Sequence, residues 1–155
     1  MTPVPAVPTL ERSFDVEVRL GPLDDYGVTR AGRRRVIPIE GGTVTGEIDG
    51  VVLPGGADWQ SVRLDGTIEI DGRYSVRTTA GELLYLQVRG VRSGPPDVIA
   101  ALLAGEPVDP SEYYFRTTIE IETSAPRLRA AQDVLYVASC VRTADTVAYR
   151  AYRVT

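Results

Sequence analysis

The chain has 155 residues, 43% hydrophobic and 25% charged, with a net charge of −4. That length suits one domain with a real core, no apolar run approaches the ~20 residues of a membrane span, and the acidic balance argues against a nucleic-acid partner. It contains no His, no Lys and no Asn, which excludes Ser-His-Asp and Cys-His catalysis within one chain, lysine Schiff bases and the usual zinc ligands.

Acid–base chemistry is thereby left to Asp, Glu, Tyr and Cys140. A single cysteine forms no intrachain disulfide and fits a reducing cytoplasm, the expected location. Cys140 lies in an apolar, strand-like run, so it is expected to be buried and inert.

Met1 to Thr9 is rich in Pro and small residues and lacks the basic and apolar regions of a signal peptide. Residues 1–12 are expected to form a flexible tail and 13–155 a single domain. Phe14, Val16, Val18 and Leu20 alternate with Asp15, Glu17 and Arg19, the period of a half-buried strand. Gly21-Pro22 ends it, and a Gly- and acid-rich loop is expected up to Arg30. Arg34 to Glu40 is extended, with Pro38 marking an edge or a bulge; Arg33-Arg34-Arg35 reads as a solvated strand edge.

After Gly41-Gly42, Thr43 to Ile48 runs to Asp49-Gly50. Val51-Val52-Leu53 then meets the breaker Pro54-Gly55-Gly56, followed by Ala57-Asp58-Trp59-Gln60. Ser61 to Leu64 reaches Asp65-Gly66. Thr67 to Ile70 reaches Asp71-Gly72, which has the composition of a tight hairpin, with Arg73 to Thr78 as its return strand. Glu82 to Val91 places Leu84, Leu86 and Val88 on one face and Tyr85, Gln87 and Arg89 on the other.

Pro95 to Ala104 is the one helix candidate, opened by Pro95-Pro96-Asp97 and stopped at Gly105. Tyr113, Phe115, Thr117, Ile119 and Ile121 share one face of the next strand; Tyr114, Arg116, Thr118, Glu120 and Glu122 share the other. Pro126 to Ala131 is an ambiguous connection. Val134 to Val141 and Val147 to Val154 close the chain as a strand pair. Eight or nine strands at short spacing with one short helix indicate an all-β fold, an antiparallel barrel or sandwich. The later strands are long and closing the sheet removes their edges, which favours a single antiparallel, calycin-like β-barrel. Phe14, Val16, Val18, Leu84, Leu86, Phe115, Ile119 and Val137 are its expected core.

Several of these stretches together resemble the uncharacterised bacterial family called domain of unknown function 3237. They are Gly32 to Ile39, Gly41-Gly42-Thr43, Gly50 to Gln60, Tyr113-Tyr114-Phe115-Arg116-Thr117, Glu122-Thr123, Tyr136-Val137 and Tyr149 to Val154. Pro-Gly-Gly-Ala-Asp-Trp-Gln and Tyr-Tyr-Phe-Arg-Thr are the specific blocks. The resemblance implies a compact β-barrel and no particular activity. The chain departs from the family pattern at Arg129-Ala130-Ala131-Gln132, which replaces an aromatic Trp-Leu-Asn-like element, and at Ile121 and Ser139.

The candidate site is a pocket at one barrel end. Asp58 is the candidate catalytic acid or base, raised by a neighbouring indole and partial burial. Trp59, Gln60, Tyr85, Arg89, Tyr114, Arg116 and Glu120 are the candidate ligand wall, with Arg116 holding a carboxylate or enolate through its planar fork. The competing reading of these charges is a set of outward salt bridges worth little each. No metal site and no cofactor are expected.

The expected function is a small-molecule-binding β-barrel of secondary or aromatic metabolism. The alternative is a cofactor-free enzyme of isomerase, cyclase or dehydratase type, using Asp and Tyr in the pocket. The expected partners are a small-molecule ligand and a second copy of the chain, meeting along the Arg33-to-Pro38 segment; no membrane and no nucleic acid are expected.

Overall fold

A computed structural model describes residues 1–155 as ten strands, one α-helix and two 3-10 segments. The strands are β1 (Leu10–Leu20), β2 (Asp24–Thr29), β3 (Gly32–Gly46), β4 (Gly50–Val52), β5 (Ala57–Val62), β6 (Ile68–Thr78), β7 (Leu83–Ser93), β8 (Tyr114–Thr123), β9 (Tyr136–Arg142) and β10 (Thr146–Val154). The helix α1 spans Pro96–Leu103, within the segment read as helical from sequence.

All pairings are antiparallel, in the order β1-β10-β9-β8-β7-β6, then β4 and β5, then β3, which returns to β1. The sheet is thus a closed barrel of eight strand positions. Two of those positions are filled by broken strands: β4 and β5 share the place between β3 and β6. Likewise β1 lies against the second half of β3 and β2 against its first half. Closure removes the open edges that a flat sheet of this length would expose.

Alternation along each strand decides what fills the barrel. One continuous core of 26 buried residues takes Phe14, Val16 and Val18 from β1, Leu84, Leu86 and Val88 from β7, and Phe115, Ile119 and Ile121 from β8. Phe14 stacks tilted on Tyr136, with ring centroids 5.6 Å apart. Seven of the eight residues expected in the core are there; Val137 is only half-buried, and Tyr136, Ala138 and Cys140 point inward instead. Both faces of β9 are apolar, so hydrophobicity alone does not choose its inner side. The small Ala138 and Ala151 fill the crowded interior where Val would overpack it.

Three other expectations are corrected. Asp71-Gly72 is not a turn: β6 runs straight through it, and the tight turn falls at Asp65-Gly66, where Asp65 accepts the Thr67 N–H at 2.9 Å. Asp24–Thr29 is a strand, not a loop; it lacks apolar alternation because it is exposed on both faces. Arg33–Pro38 is not an edge, since it pairs with β2 on one side and β5 on the other. The chain also enters its first strand at Leu10, and the Thr9 and Thr155 backbones exchange hydrogen bonds of 2.7 and 2.9 Å.

The β7–β8 connection carries α1, which buries Leu102 in the core and brings Gly105 against Ala144 in the β9–β10 turn. The 3-10 segment Pro126–Gln132, on the β8–β9 connection, contributes the buried Leu128. No helix is long and apolar enough to cross a membrane.

Candidate functional site

The Pro54-Gly55-Gly56 breaker aims the site. Gly55 has φ +108 with open space around it, so its role is conformational. Gly56 is required for space, because a Cβ there would lie 2.3 Å from the Arg73 carbonyl oxygen. The connection therefore presses onto β6 and sets the phase of β5. Asp58 and Gln60, two residues apart, face the lumen, and Trp59 faces out.

Inside lies a cavity of about 50 Å³ near the barrel end that bears the β7–β8 and β9–β10 connections. Its polar lining is Asp58, Gln60, Arg92, Arg142, Thr117 and the hydroxyl pair Tyr74–Tyr149. At roughly 10–15 Å³ per water, such a space holds three to five waters or one small head group.

Asp58 accepts the Gln60 side-chain amide at 2.8 Å and the Asp71 backbone N–H at 3.0 Å. The residue keeps partial surface exposure, yet its carboxyl is enclosed. Burial raises it above the usual aspartate value, against the opposing pull of Gln60, the Asp71 N–H and Arg92. Arg92 is 3% exposed and lies over the Phe115 ring at 5.3 Å. Its Nε is buried with no hydrogen-bond partner, and none of the ion pairs includes it. Burial pushes Arg92 down to about 10, helped by the Arg142 charge and opposed by Asp58, so it stays protonated at neutral pH.

Arg142 is lowered by burial, with Asp58 opposing. Its Nη1 donates to the Thr143 and Thr146 carbonyls at 2.6 and 3.3 Å, which fixes the β9–β10 turn. Two guanidiniums thus face one carboxyl, and the chamber carries a surplus of positive charge. Cys140 lies on the same wall, its thiol pushed up to about 11 by burial. No group of three His, Cys, Asp or Glu side chains is arranged to hold a metal ion.

Of the eight residues singled out from sequence, the fold brings together Asp58 and Gln60. Trp59 is 40% exposed in a shallow outer groove with Arg34, Arg63, Glu69, Asp71 and Arg89. Tyr114 and Arg116 stack on the outer wall with 5.4 Å between guanidinium and ring centroid, and share a second outer groove with Arg89. Tyr85 and Glu120 are also exposed on the outside. The expected pocket wall is therefore split, because the polar faces of β7 and β8 are their outer faces whereas that of β5 is its inner face.

Arg92, Arg142, Tyr74 and Tyr149 stand outside the set expected from sequence, although for the two arginines the sequence carries a signal. Arg92 continues the inward phase of Leu84, Leu86 and Val88, and Arg142 that of Tyr136, Ala138 and Cys140. A charge standing in an apolar phase marks a buried polar site.

A UPF0311 protein of Bradyrhizobium diazoefficiens is 40% identical over 149 residues, covering 95% of this chain and 98% of that protein. The crystal structure of a conserved protein of unknown function from Rhodopseudomonas palustris is 40% identical with both chains fully covered, at a TM-score of 0.88. An enzyme from Penicillium herquei is 19% identical over the full length of both chains, at a TM-score of 0.72, and shares the fold alone. The family described as "Protein of unknown function (DUF3237)" matches residues 8–154, and the chain belongs to it.

Proposed function

We propose that the barrel lumen binds a small anionic metabolite and that Arg92 holds its charge. The observation that carries this reading is the buried Arg92 guanidinium, whose Nε has no partner within the chain. A buried unsatisfied donor is costly and calls for an explanation, and a guanidinium fork suits a carboxylate or enolate oxygen pair. The surplus of Arg92 and Arg142 over Asp58 points to the same sign of ligand. This reading moves the anion anchor from Arg116, on the outer wall, to Arg92. Calorimetric titration with butyrate tests it: Arg92→Met should weaken binding at least about tenfold, and an unchanged affinity would overturn it.

A second reading, cofactor-free acid–base catalysis, is favoured by Asp58. An enclosed carboxyl raised by burial, beside a fixed positive charge, suits proton transfer to or from a bound carbon or oxygen acid. Once turnover is measured, Asp58→Asn should lower kcat with KM nearly unchanged.

Self-association is proposed along β2. It pairs with β3 alone, and its Tyr26 and Val28 side chains are exposed, so a second copy would extend the sheet by edge pairing.

A further inference from the structure

The lumen contains one more feature that neither the fold nor the Arg92 reading uses. Tyr74 comes from β6 and Tyr149 from β10, which stand four strand positions apart in the eight-position barrel. Their hydroxyls meet in a hydrogen bond across the interior, and both residues are buried and line the cavity. The pair spans the barrel as a crossbar at the cavity wall.

Each phenol has one O–H to donate. Whichever hydroxyl donates within the pair, the other keeps a proton, and the two oxygens have no hydrogen-bond partner but each other. That spare donor belongs to a group lining the same small chamber as the unpartnered Arg92 guanidinium. The chamber thus offers two kinds of donor, one charged and one neutral, to a single small head group.

We propose that the Tyr74–Tyr149 pair donates its spare hydroxyl proton to a carbonyl oxygen of the ligand whose carboxylate Arg92 holds, so that the site selects short oxo acids over plain acids. The inference rests on the Arg92 reading and adds ligand class and a specificity determinant to it. A plain carboxylate satisfies only Arg92 and leaves the hydroxyl proton facing apolar chain. An oxo acid satisfies both. A site that supplies a donor discriminates against an analogue lacking the acceptor, because the unmatched polar group stays buried and unpaired.

The test uses the full chain and three probes of equal carbon count: butyrate, 2-oxobutyrate and acetoacetate. Titration calorimetry should show at least one oxo acid binding about tenfold tighter than butyrate, the ratio expected for one buried hydrogen bond. The double variant Tyr74→Phe/Tyr149→Phe should abolish that ratio, leaving the oxo acids no tighter than butyrate. Removing both partners together leaves no orphaned hydroxyl, so the barrel should stay folded, and a cooperative thermal unfolding transition serves as the folding control. Equal affinities in the unmodified protein, a preference that survives the double variant, or a double variant that no longer folds would each overturn the proposal. Failure of the underlying reading looks different. Butyrate binding indifferent to Arg92→Met removes the anchor itself, and no binding of any probe removes both.

Discussion

At the scale of single residues, the chamber trades stability for polarity. Burial raises Asp58 above its ordinary value of 3.8, so the folded protein holds that proton more tightly than the unfolded chain does. The stability linked to it is full below 3.8 and is lost as the pH rises through the folded value. Asp58→Asn keeps the position neutral at every pH. It should therefore raise the melting temperature at neutral pH, with the gain shrinking to nothing as the pH falls below 3.8. A thermal unfolding series across acid and neutral pH checks the sign. Arg92 behaves similarly: replacing a buried, unpaired charge by Met should stabilise the protein by about 1–4 kcal/mol, measured by denaturant unfolding. A variant that gains stability while losing butyrate binding would identify Arg92 as retained for its ligand.

At the scale of elements, the β4–β5 break and the strand that follows it carry most of the geometry. Gly56 brings the connection onto β6, so Gly56→Ala forces a Cβ into the Arg73 carbonyl and should cost about 1–3 kcal/mol in chemical unfolding. Where β5 lies against β6, the Asp58 carboxylate takes the Asp71 N–H, and that bond holds Asp58 on the lumen side. Asp71-Gly72 continues a strand despite its turn-like composition because it lies within an unbroken ladder with β7, Asp71 opposite Arg89 and Gly72 opposite Val88. On β7, Leu86 is 1% exposed within the central core, and Leu86→Ala should cost roughly 2–5 kcal/mol. A loss below ~1 kcal/mol would contradict the inward phase that places Arg92 in the chamber.

At the scale of the whole molecule, closure leaves β2 as the strand paired on one side only, beyond the barrel wall. Val28 is 84% exposed there. If two copies associate along this edge, light scattering at high micromolar concentration should give a dimer mass. Val28→Lys should then return the protein to monomer without lowering its melting temperature, as edge lysines do elsewhere. A strict monomer for the unmodified chain would refute the association and leave the lumen site untouched.

Composition and periodicity were enough to determine an all-β chain, an antiparallel barrel, one helix within Pro95–Ala104 and seven of eight core positions, because strand alternation is local and each core strand shows it plainly. The absence of His and Lys likewise restricts the proton handlers by composition alone. Tertiary structure alone decided the rest. Which face of β9 turns inward depends on the space left by neighbours across the barrel. Whether Asp71-Gly72 bends depends on pairing with Arg89 and Val88 of β7, more than a dozen residues later in the chain. The chamber itself comes from register: Asp58 on β5, Tyr74 on β6, Arg92 on β7, Arg142 on β9 and Tyr149 on β10 become neighbours through pairings between distant segments. A local pattern can show that a charge stands in an apolar phase, but only closure of the sheet says what it faces.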